Sequence, residues 1–188
     1  MKAWWHHFSN ALSQTECEWL IKYAKSFDEL TATVGRGGKC VVDETIRRSN
    51  VRWLGRTDPN LDLLFRKIEN MALKANAISF GFDISGFHEV QFTTYKAENE
   101  GTYGFHEDNN WKSDAPFDRK ISMSIQLSDP DSYTGGRLVF KNDKLPDHIF
   151  RNQGDAIFFP SFNRHTVTPV KLGTRHSLVT WFVGPKFR

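Results

Sequence analysis

Two short stretches in the second half of the chain carry residue types that can bind a metal ion. His106 and Asp108 are two residues apart, so on a strand both side chains point to the same face. A second histidine, His165, begins another strand-like run over 165–170. If these strands lie side by side, two imidazoles and one carboxylate meet on one side of a metal and leave its other coordination positions open. That ligand set is typical of non-haem Fe(II) sites and indicates redox chemistry.

The elements that position these residues follow from the hydrophobic pattern, which changes from helical to strand-like near residue 89. In the first half, Ser13 and Glu16 form a capping-box pattern ahead of a helix, and a second helix is predicted over about 60–77. A strand is expected around 49–54 between them. Later strands are expected at 89–96, 103–108, 120–127, 137–141, 148–152, 155–159, 165–170 and 175–183.

About eight short strands separated by turn residues predict a jelly-roll core, and the earlier helices would cover one face of it. We therefore expect an α+β protein with a double-stranded β-helix (jelly-roll) core and N-terminal helices packed on one face. The whole chain, 1–188, is interpreted as a single domain with helical support over about 1–88 and the core over about 89–185.

A polar face on one predicted strand indicates where a ligand binds. Within 120–127, Ser122, Ser124 and Gln126 alternate with apolar residues. Burying such groups without partners costs free energy, so a polar inner face in a barrel-like fold usually lines a ligand cavity.

Bulk composition narrows the class of protein. The 188 residues are 14% aromatic and carry a formal net charge of +3 from scattered basic residues, which favours a packed globular protein and gives little support to a nucleic-acid partner. No apolar run is long enough for a membrane span. Cys17 and Cys40 form no disulfide framework and no signal peptide is recognisable, so we expect a cytoplasmic protein of unknown oligomeric state.

The metal-binding residues and their surroundings resemble the 2-oxoglutarate- and Fe(II)-dependent oxygenases, specifically the prolyl 4-hydroxylase-like branch. The resemblance is densest over 89–185. The family's His-x-Asp…His motif matches His106, Asp108 and His165, which would make these residues both the metal ligands and the catalytic centre. Halogenating relatives lack the carboxylate, so the presence of Asp108 favours hydroxylation.

The resemblance also implies a cosubstrate site. The family's basic residue, which binds the distal carboxylate of 2-oxoglutarate, follows the second histidine by about ten positions and matches Arg175. Tyr95 matches a tyrosine that helps to hold the cosubstrate. Tyr103 competes for that role, but its parity differs from that of His106, so we expect it to pack outward. Ser124 and Gln126 are equally well explained as structural polar residues. The cosubstrate candidates are Arg175, Tyr95, Ser177, Gln126 and Ser124.

The substrate side is assigned by weaker similarities. Trp181, six residues after the basic position, recurs in the prolyl hydroxylase branch. Arg47, Arg48 and Trp53, within residues 46–53, resemble a segment that borders the substrate groove there, and Arg48 and Trp53 are the candidate substrate contacts. An exposed, charged strand edge explains this segment equally well. The Gly-rich, charged loop 34–45 is interpreted as a mobile lid.

The resemblance implies an enzyme that decarboxylates 2-oxoglutarate to succinate and CO₂ while hydroxylating an unactivated C–H bond. It implies Fe(II), 2-oxoglutarate and O₂, and it leaves the use of ascorbate open. A prolyl residue in a peptide or protein is the expected substrate, with neither nucleic acid nor membrane as a partner.

Three alternatives remain open. One is hydroxylation of a free amino acid or other small molecule. Another is nucleic-acid demethylation, although that branch carries a second arginine where this chain has Trp181. The last is a non-catalytic jelly-roll binding module. A simple binder, however, would have little need for both histidines, the carboxylate and Arg175 together.

Overall fold

The computed structural model of the protein describes residues 1–36, 39–87 and 89–188. Two α-helices, α1 (Gln14–Ala24) and α2 (Asp62–Ala75), lie in the first half of the chain. A 3₁₀ turn, Pro59–Leu61, precedes α2, and a π-helical turn, Asn76–Phe80, follows it.

Fourteen strands are assigned within the described ranges. They are β1 (His6–Phe8), β2 (Leu30–Thr31), β3 (Val34–Arg36), β4 (Lys39–Val41), β5 (Arg47–Arg48), β6 (Asn50–Gly55), β7 (Glu89–Lys96), β8 (Thr102–His106), β9 (Phe117–Gln126), β10 (Tyr133–Gly135), β11 (Leu138–Phe140), β12 (Ala156–Pro160), β13 (His165–Val167) and β14 (Val170–Pro185).

The start of α1 confirms the predicted capping box. The Glu16 backbone N–H donates to Ser13 Oγ at 3.3 Å, and the Ser13 backbone N–H donates to Glu16 Oε2 at 2.9 Å. Two of the helix's otherwise unpaired donors are therefore satisfied. The predicted second helix also forms, although α2 begins at Asp62 because a 3₁₀ turn with its N-cap at Asp58 takes up the preceding residues.

The strands form two antiparallel sheets, as expected for a double-stranded β-helix. The main sheet has the order β1-β12-β9-β14-β7-β6-β2, with β10 also paired to β14. The smaller sheet has the order β11-β13-β8-β5, and β3 and β4 form a separate hairpin. Two of the predicted metal-binding residues lie on β8 and β13, which are neighbours in the smaller sheet.

Both helices pack on the outer face of the main sheet, which confirms the predicted arrangement. Alternate residues of β14, such as Leu178 and Phe182, join Phe65 and Ile68 of α2 in one buried apolar cluster. Each fully buried side chain of this size contributes roughly 1.5–3 kcal/mol. The opposite face of β14, which points away from the helices toward the space between the sheets, carries Arg175, Ser177 and Trp181. No helix of the described residues is long and apolar enough to cross a membrane.

Three strand predictions need correction. No strand forms over 148–152; this segment consists of turns, with Phe150 at φ +57° and the Asn152 N–H bonded to the Asp155 carboxylate at 3.0 Å. The strand predicted over 165–170 ends at Val167. The last strand is longer than predicted and begins at Val170, directly after Pro169, because a proline has no N–H to donate to a sheet.

The segment predicted as a lid, 34–45, has regular structure where it is described. β3 and β4 pair through Val34↔Val41 and Gly35↔Cys40. Residues 37 and 38 of this prediction lie outside the described residues. Its role as a lid stays a prediction.

Candidate active site

The two histidines and the aspartate predicted to bind a metal lie close together between the sheets. His106 and His165 are direct partners across β8 and β13, with ring centroids 4.3 Å apart. His106 Nε2 lies 3.4 Å from Asp108 Oδ1, and His165 Nε2 lies 3.6 Å from Asp108 Oδ2. One potential ligand atom from each residue falls within 4.8 Å of the others.

Asp108 reaches this position by a different route from the one predicted. β8 ends at His106, so the strand alternation does not extend to the aspartate. Instead, the Asp108 backbone N–H donates to the Ser161 carbonyl at 2.8 Å. Ser122 Oγ, on the inner face of β9, donates to Asp108 Oδ2 at 2.6 Å. The polar face noted on this strand therefore holds the carboxylate in place.

Backbone carbonyls fix the orientation of both imidazoles. His106 Nδ1 is 2.8 Å from the Gly104 carbonyl oxygen, and His165 Nδ1 is 2.8 Å from that of Asn163. A carbonyl only accepts, so Nδ1 carries the hydrogen in each ring and Nε2 keeps a free lone pair. Both lone pairs face the carboxylate, as metal-binding histidines require.

Burial and mutual charge set the protonation states of this cluster. Burial lowers the pKa of His165 to about 4, so its imidazole is neutral near pH 7. Burial on its own raises the pKa of Asp108, but the neighbouring His165, His106 and Arg119 outweigh it and hold that pKa well below its usual range. A neutral His165 imidazole and an ionised Asp108 carboxylate are forms that bind a divalent cation.

This donor set fits Fe(II). Adjacent donors about 2.1 Å from a metal lie roughly 3 Å from each other, close to the observed 3.4 and 3.6 Å separations. All three donors come from one side, which leaves the opposite coordination positions open.

Arg175 on β14 is a buried arginine, only 2% exposed. Among the described residues, its Nε has no hydrogen-bond partner and no carboxylate lies within ion-pair distance of it. Its guanidinium lies over the ring of Tyr95, 5.5 Å from the centroid. An isolated buried cation is costly, so this arrangement favours an anionic ligand.

The other predicted cosubstrate residues lie on β14 itself and on its neighbour β9. Ser177 and Gln126 are paired across β14 and β9, and both are buried, as is Ser124. Gln126 and Arg175 line one cavity of about 900 Å³ that extends to residues 141–151. The structure therefore brings Arg175, Tyr95, Gln126 and Ser177 to one region, and their roles there stay predictions.

Tyr103 does not pack outward, and this expectation was wrong. Its ring stacks on the imidazole of His106, with centroids 3.5 Å apart and an interplanar angle of 13°. The reason is an irregularity in the strand pairing: His165 pairs with His106, but Val167 pairs with Tyr103. Four residues of β8, 103–106, therefore lie opposite three residues of β13, 165–167, so the simple parity rule fails at this point.

A group of aromatic and cationic side chains lies on the Asp108 side of the cluster. The guanidinium of Arg119 lies 3.9 Å from the ring centroid of Trp181 and donates to the Asp108 carbonyl at 3.3 Å. Trp53 contacts Trp181, with ring centroids 6.3 Å apart. The indole Nε1 of Trp181 is buried and finds no hydrogen-bond partner in the described part of the chain. The predicted substrate contacts Trp53 and Trp181 are thus close together beside the triad.

Of the two adjacent arginines on β5, only one faces the site. Arg47 is buried, lies 4.5 Å from the Tyr103 ring centroid and donates to Gln91 Oε1 at 2.8 Å. Arg48, the predicted substrate contact, instead donates to the Glu100 carbonyl at 3.3 Å and is not brought to the triad. Arg47 belongs to the segment expected to border the substrate groove. Arg119 was not predicted as a site residue, because it stands in no recognisable motif, although it precedes the polar face of β9.

Comparisons with known proteins agree with this geometry. The family model of the 2OG-Fe(II) oxygenase superfamily matches residues 90–183. A PKHD-type hydroxylase of Aliarcobacter butzleri is 30% identical over 183 residues, which cover 93% of this chain and 76% of that protein. The PKHD-type hydroxylase YbiX of Escherichia coli O6:K15:H31 is 39% identical over 88 residues, 45% of this chain and only 39% of that relative's length.

A solved structure extends the comparison to the fold. The viral collagen prolyl hydroxylase of Paramecium bursaria Chlorella virus-1, in complex with 2OG, matches with a TM-score of 0.73 over 97% of both chains, at 21% identity. The double-stranded β-helix is therefore shared beyond the residues that the family model matches. The chain belongs to the 2OG-Fe(II) oxygenase superfamily and is an oxidoreductase that uses Fe(II), 2-oxoglutarate and O₂.

Proposed function

We propose that this oxygenase hydroxylates a prolyl residue in a peptide or protein. The observation that carries the proposal is the group of aromatic and cationic side chains beside the metal-binding cluster, in which Tyr103 stacks on His106 and Arg119 lies over Trp181. The chain is similar to PKHD-type hydroxylases and to a viral collagen prolyl hydroxylase, and this similarity supports the proposal.

In this proposal His106, Asp108 and His165 hold the iron. The carbonyls of Gly104 and Asn163 orient the two rings, each at 2.8 Å from Nδ1. When bound, Fe(II) supplies the redox chemistry that couples decarboxylation of 2-oxoglutarate to succinate with oxygenation of a C–H bond. The chain's residues contribute binding, orientation and exclusion of water around that centre.

Arg175 binds the distal carboxylate of 2-oxoglutarate in this proposal. A guanidinium makes charge-assisted, bidentate hydrogen bonds to a carboxylate, and the ring of Tyr95 supports its face. Because the arginine is 2% exposed, water does not compete strongly with the ligand. Ser177 and Ser124 are proposed to add hydrogen bonds along the same strands.

The group of aromatic and cationic side chains beside the cluster suits a proline ring and its neighbouring peptide groups. The faces of Tyr103 and Trp181 offer apolar contact, and a proline is rigid and loses little entropy on binding. The unpaired Trp181 Nε1 and the Arg119 guanidinium are donors for the carbonyls of a bound peptide. Tyr103, Trp181 and Arg119 include no carboxylate, and Asp108 is taken up by the metal site. This combination fits a neutral peptide backbone.

The experiment is to incubate the Fe(II)-loaded protein with 2-oxoglutarate, O₂ and a panel of proline-containing peptides. We expect a matching peptide to stimulate succinate formation and to gain about 16 Da on proline, one oxygen atom, by mass spectrometry. Asp108→Ala serves as the control without turnover. If the peptides stay unmodified while free amino acids or oligonucleotides are oxidised, the prolyl substrate is excluded and the oxygenase assignment remains.

We also propose that the chain works as one domain in the cytoplasm. Both cysteines are free, Cys17 buried and Cys40 exposed, which suits a reducing compartment. Fractionation of the source cells tests the location, and a single thermal transition tests the domain assignment.

A further inference from the structure

Five aromatic side chains from separate segments of the chain meet in one partly exposed cluster. The ring of Phe162 is its centre, with centroid distances of 6.4 Å to Trp4 and to Trp111, 6.2 Å to Phe82 and 5.5 Å to Phe187. Trp4 is 48% exposed and Trp111 is 57% exposed. Large apolar side chains that are exposed singly are normal, whereas contiguous ones mark interaction sites. We call these five residues the aromatic surface.

The aromatic surface lies beside the metal-binding cluster. Phe162 is three residues before His165, and Trp111 is three residues after Asp108. Three residues span at most about 11 Å, even when the chain is fully extended. The Trp111 indole N–H also donates to Oε2 of Glu107, the residue directly before Asp108, at 2.8 Å. A polypeptide with one residue at the metal-binding cluster can therefore reach the aromatic surface within a few residues.

One strand, β9, connects this surface to the proposed substrate contacts. Arg119 lies over the ring of Trp181, 3.9 Å from its centroid. The next residue, Lys120, points to the other face of the strand, and its Nζ lies 3.4 Å from the ring centroid of Phe187. The aromatic surface and the group around Trp181 are therefore contiguous through β9.

The margin of the aromatic surface is positively charged. Within two residues of its five members, the sequence has five lysines and arginines but only one acidic residue, Asp83. The five cationic residues are all exposed: Lys2, Lys112, Arg164, Lys186 and Arg188. The Glu107 carboxylate, which contacts Trp111, already accepts the indole N–H. This excess of positive charge favours a ligand that carries carboxylates.

A cavity next to the aromatic surface favours a peptide over a polyanion. It has a volume of about 310 Å³, and Trp4 and Phe162 form part of its wall. Its charged lining residues are balanced, with two cations, Lys141 and Arg164, and two carboxylates, Glu107 and Asp143. Closely spaced phosphates, as in a nucleic acid, would be repelled by the two carboxylates. A peptide that alternates acidic and uncharged residues can avoid this repulsion.

We propose that the aromatic surface is a second binding site for the polypeptide substrate, and that it takes an acidic, proline-containing segment close to the hydroxylated residue. The inference rests on the proposed function. Proline rings pack on aromatic faces, and a polyproline II segment loses little entropy when it binds. Binding at this surface raises the concentration of the target residue at the metal-binding cluster, so it acts on KM more than on kcat.

The first test is calorimetric titration of the protein loaded with Fe(II) and 2-oxoglutarate, without oxygen so that nothing turns over. The probes are two peptides of equal length, one of alternating glutamate and proline and one of alternating lysine and proline. The glutamate–proline peptide should bind more tightly, and Trp111→Ala is expected to weaken its binding about tenfold, as for an exposed tryptophan at the centre of an interface. Trp19→Ala is the matched control. Trp19 is 43% exposed and stacks on Tyr23, but it lies on α1 outside the aromatic surface, so this variant should bind like wild type.

The second test uses turnover. When a glutamate–proline segment is added to a peptide that the protein hydroxylates, KM should fall in the wild type, and Trp111→Ala should remove this gain at unchanged kcat. If no peptide is hydroxylated, the proposed function fails and the inference fails with it.

Equal affinity of wild type and Trp111→Ala for the glutamate–proline peptide would overturn the inference and leave the proposed function intact. Tighter binding of a single-stranded oligothymidylate or of phosphatidylserine vesicles, lost in Trp111→Ala, would overturn it as well. Should Trp111→Ala not fold, Lys112→Glu decides in its place. This charge reversal should weaken binding of the glutamate–proline peptide, and an unchanged affinity would contradict the inference.

Discussion

The hydroxyl of Ser122 is the contact that most directly controls the carboxylate of the metal-binding cluster. Its 2.6 Å bond to Asp108 Oδ2 fixes one carboxylate oxygen and leaves the other toward His106. We predict that Ser122→Ala lowers Fe(II) affinity about 10- to 100-fold, the usual effect of removing a group that orients a ligand. Metal titration of the purified variant measures this.

Ser124→Ala is the control for that experiment. Ser124 lies on the same face of β9 and is also buried, but it has no bond to Asp108. Its Fe(II) affinity should equal that of the wild type. If both serine variants lose metal affinity equally, the effect comes from the strand as a whole and the role of Ser122 is wrong.

The three candidate metal ligands could be predicted from sequence. His106, Asp108 and His165 come together as expected, although Asp108 is held by Ser161 and Ser122 and not by the alternation of a strand. Tyr103 was misplaced because a pairing irregularity between strands leaves no mark in the sequence of either one. Arg119 was missed because its contact with Trp181 joins separate strands of the main sheet.

At the scale of elements, the turn between β10 and β11 shapes the cosubstrate cavity. Gly136 has φ +59°, and a Cβ there would come within 2.8 Å of Arg175 Cδ and 3.0 Å of Val170 Cγ2. We predict that Gly136→Ala costs roughly 1–2 kcal/mol of stability from the left-handed backbone. It should also weaken 2-oxoglutarate binding, because Arg175 must move. Thermal unfolding and calorimetry measure the two effects separately.

Gly55→Ala is the matched control at the end of β6. Its added Cβ would meet only Thr57 Oγ1 at 3.9 Å, and its backbone does not need a glycine. Both stability and cosubstrate affinity should stay close to wild type. Unchanged 2-oxoglutarate affinity in Gly136→Ala would show that Arg175 does not depend on this turn.

Elements with strong periodicity were predicted well. Both helices and the strands that carry the triad histidines formed near the expected positions. The strand predicted over 148–152 was wrong. Its apolar residues, such as Phe150, are buried although they lie in a turn, and the Asp155 carboxylate stabilises that turn. The hairpin of β3 and β4 was expected only as a loop, since glycine-rich sequence lacks the alternation that marks a strand.

For the whole molecule, His176 makes folding stability depend on pH. It stacks on Phe92 and bonds to Thr94 Oγ1 at 3.1 Å. Burial, and then nearby cations led by Lys25 and Arg52, lower its pKa from 6.5 to about 4. Between pH 6.5 and about 4, His176 is therefore protonated in the unfolded chain but still neutral in the folded chain. The stability that comes from the neutral, buried His176 is complete above pH 6.5 and is lost progressively as the pH falls to about 4.

We predict that His176→Phe, which keeps a ring against Phe92, reduces the fall in the free energy of unfolding between pH 7 and pH 4.5. Urea unfolding of the metal-free proteins across that range measures it. His165, whose pKa is also lowered to about 4, remains in both proteins and cancels in the comparison. The exposed His148 gives a control variant, His148→Phe, that should follow wild type. An unaltered pH dependence in His176→Phe would contradict the prediction.

The overall architecture was predictable because many short strands with turns between them leave few alternatives for a chain of this size. The two-sheet core and the helices on one face formed as expected. The order of strands within each sheet was not predictable from periodicity, because hydrogen bonding between distant segments determines it.

The strand β14 joins the two ends of the site. It carries Arg175 opposite Tyr95 and Trp181 opposite Ser122, six residues further on. At about 3.3 Å per residue, these side chains stand roughly 20 Å apart along one rigid line. Inserting a single residue between them would turn Trp181 toward the helices, and inserting two would shift it by about 7 Å. Variants of this enzyme can therefore change which side chains stand on β14, but not how many residues separate the proposed cosubstrate end from the proposed substrate end.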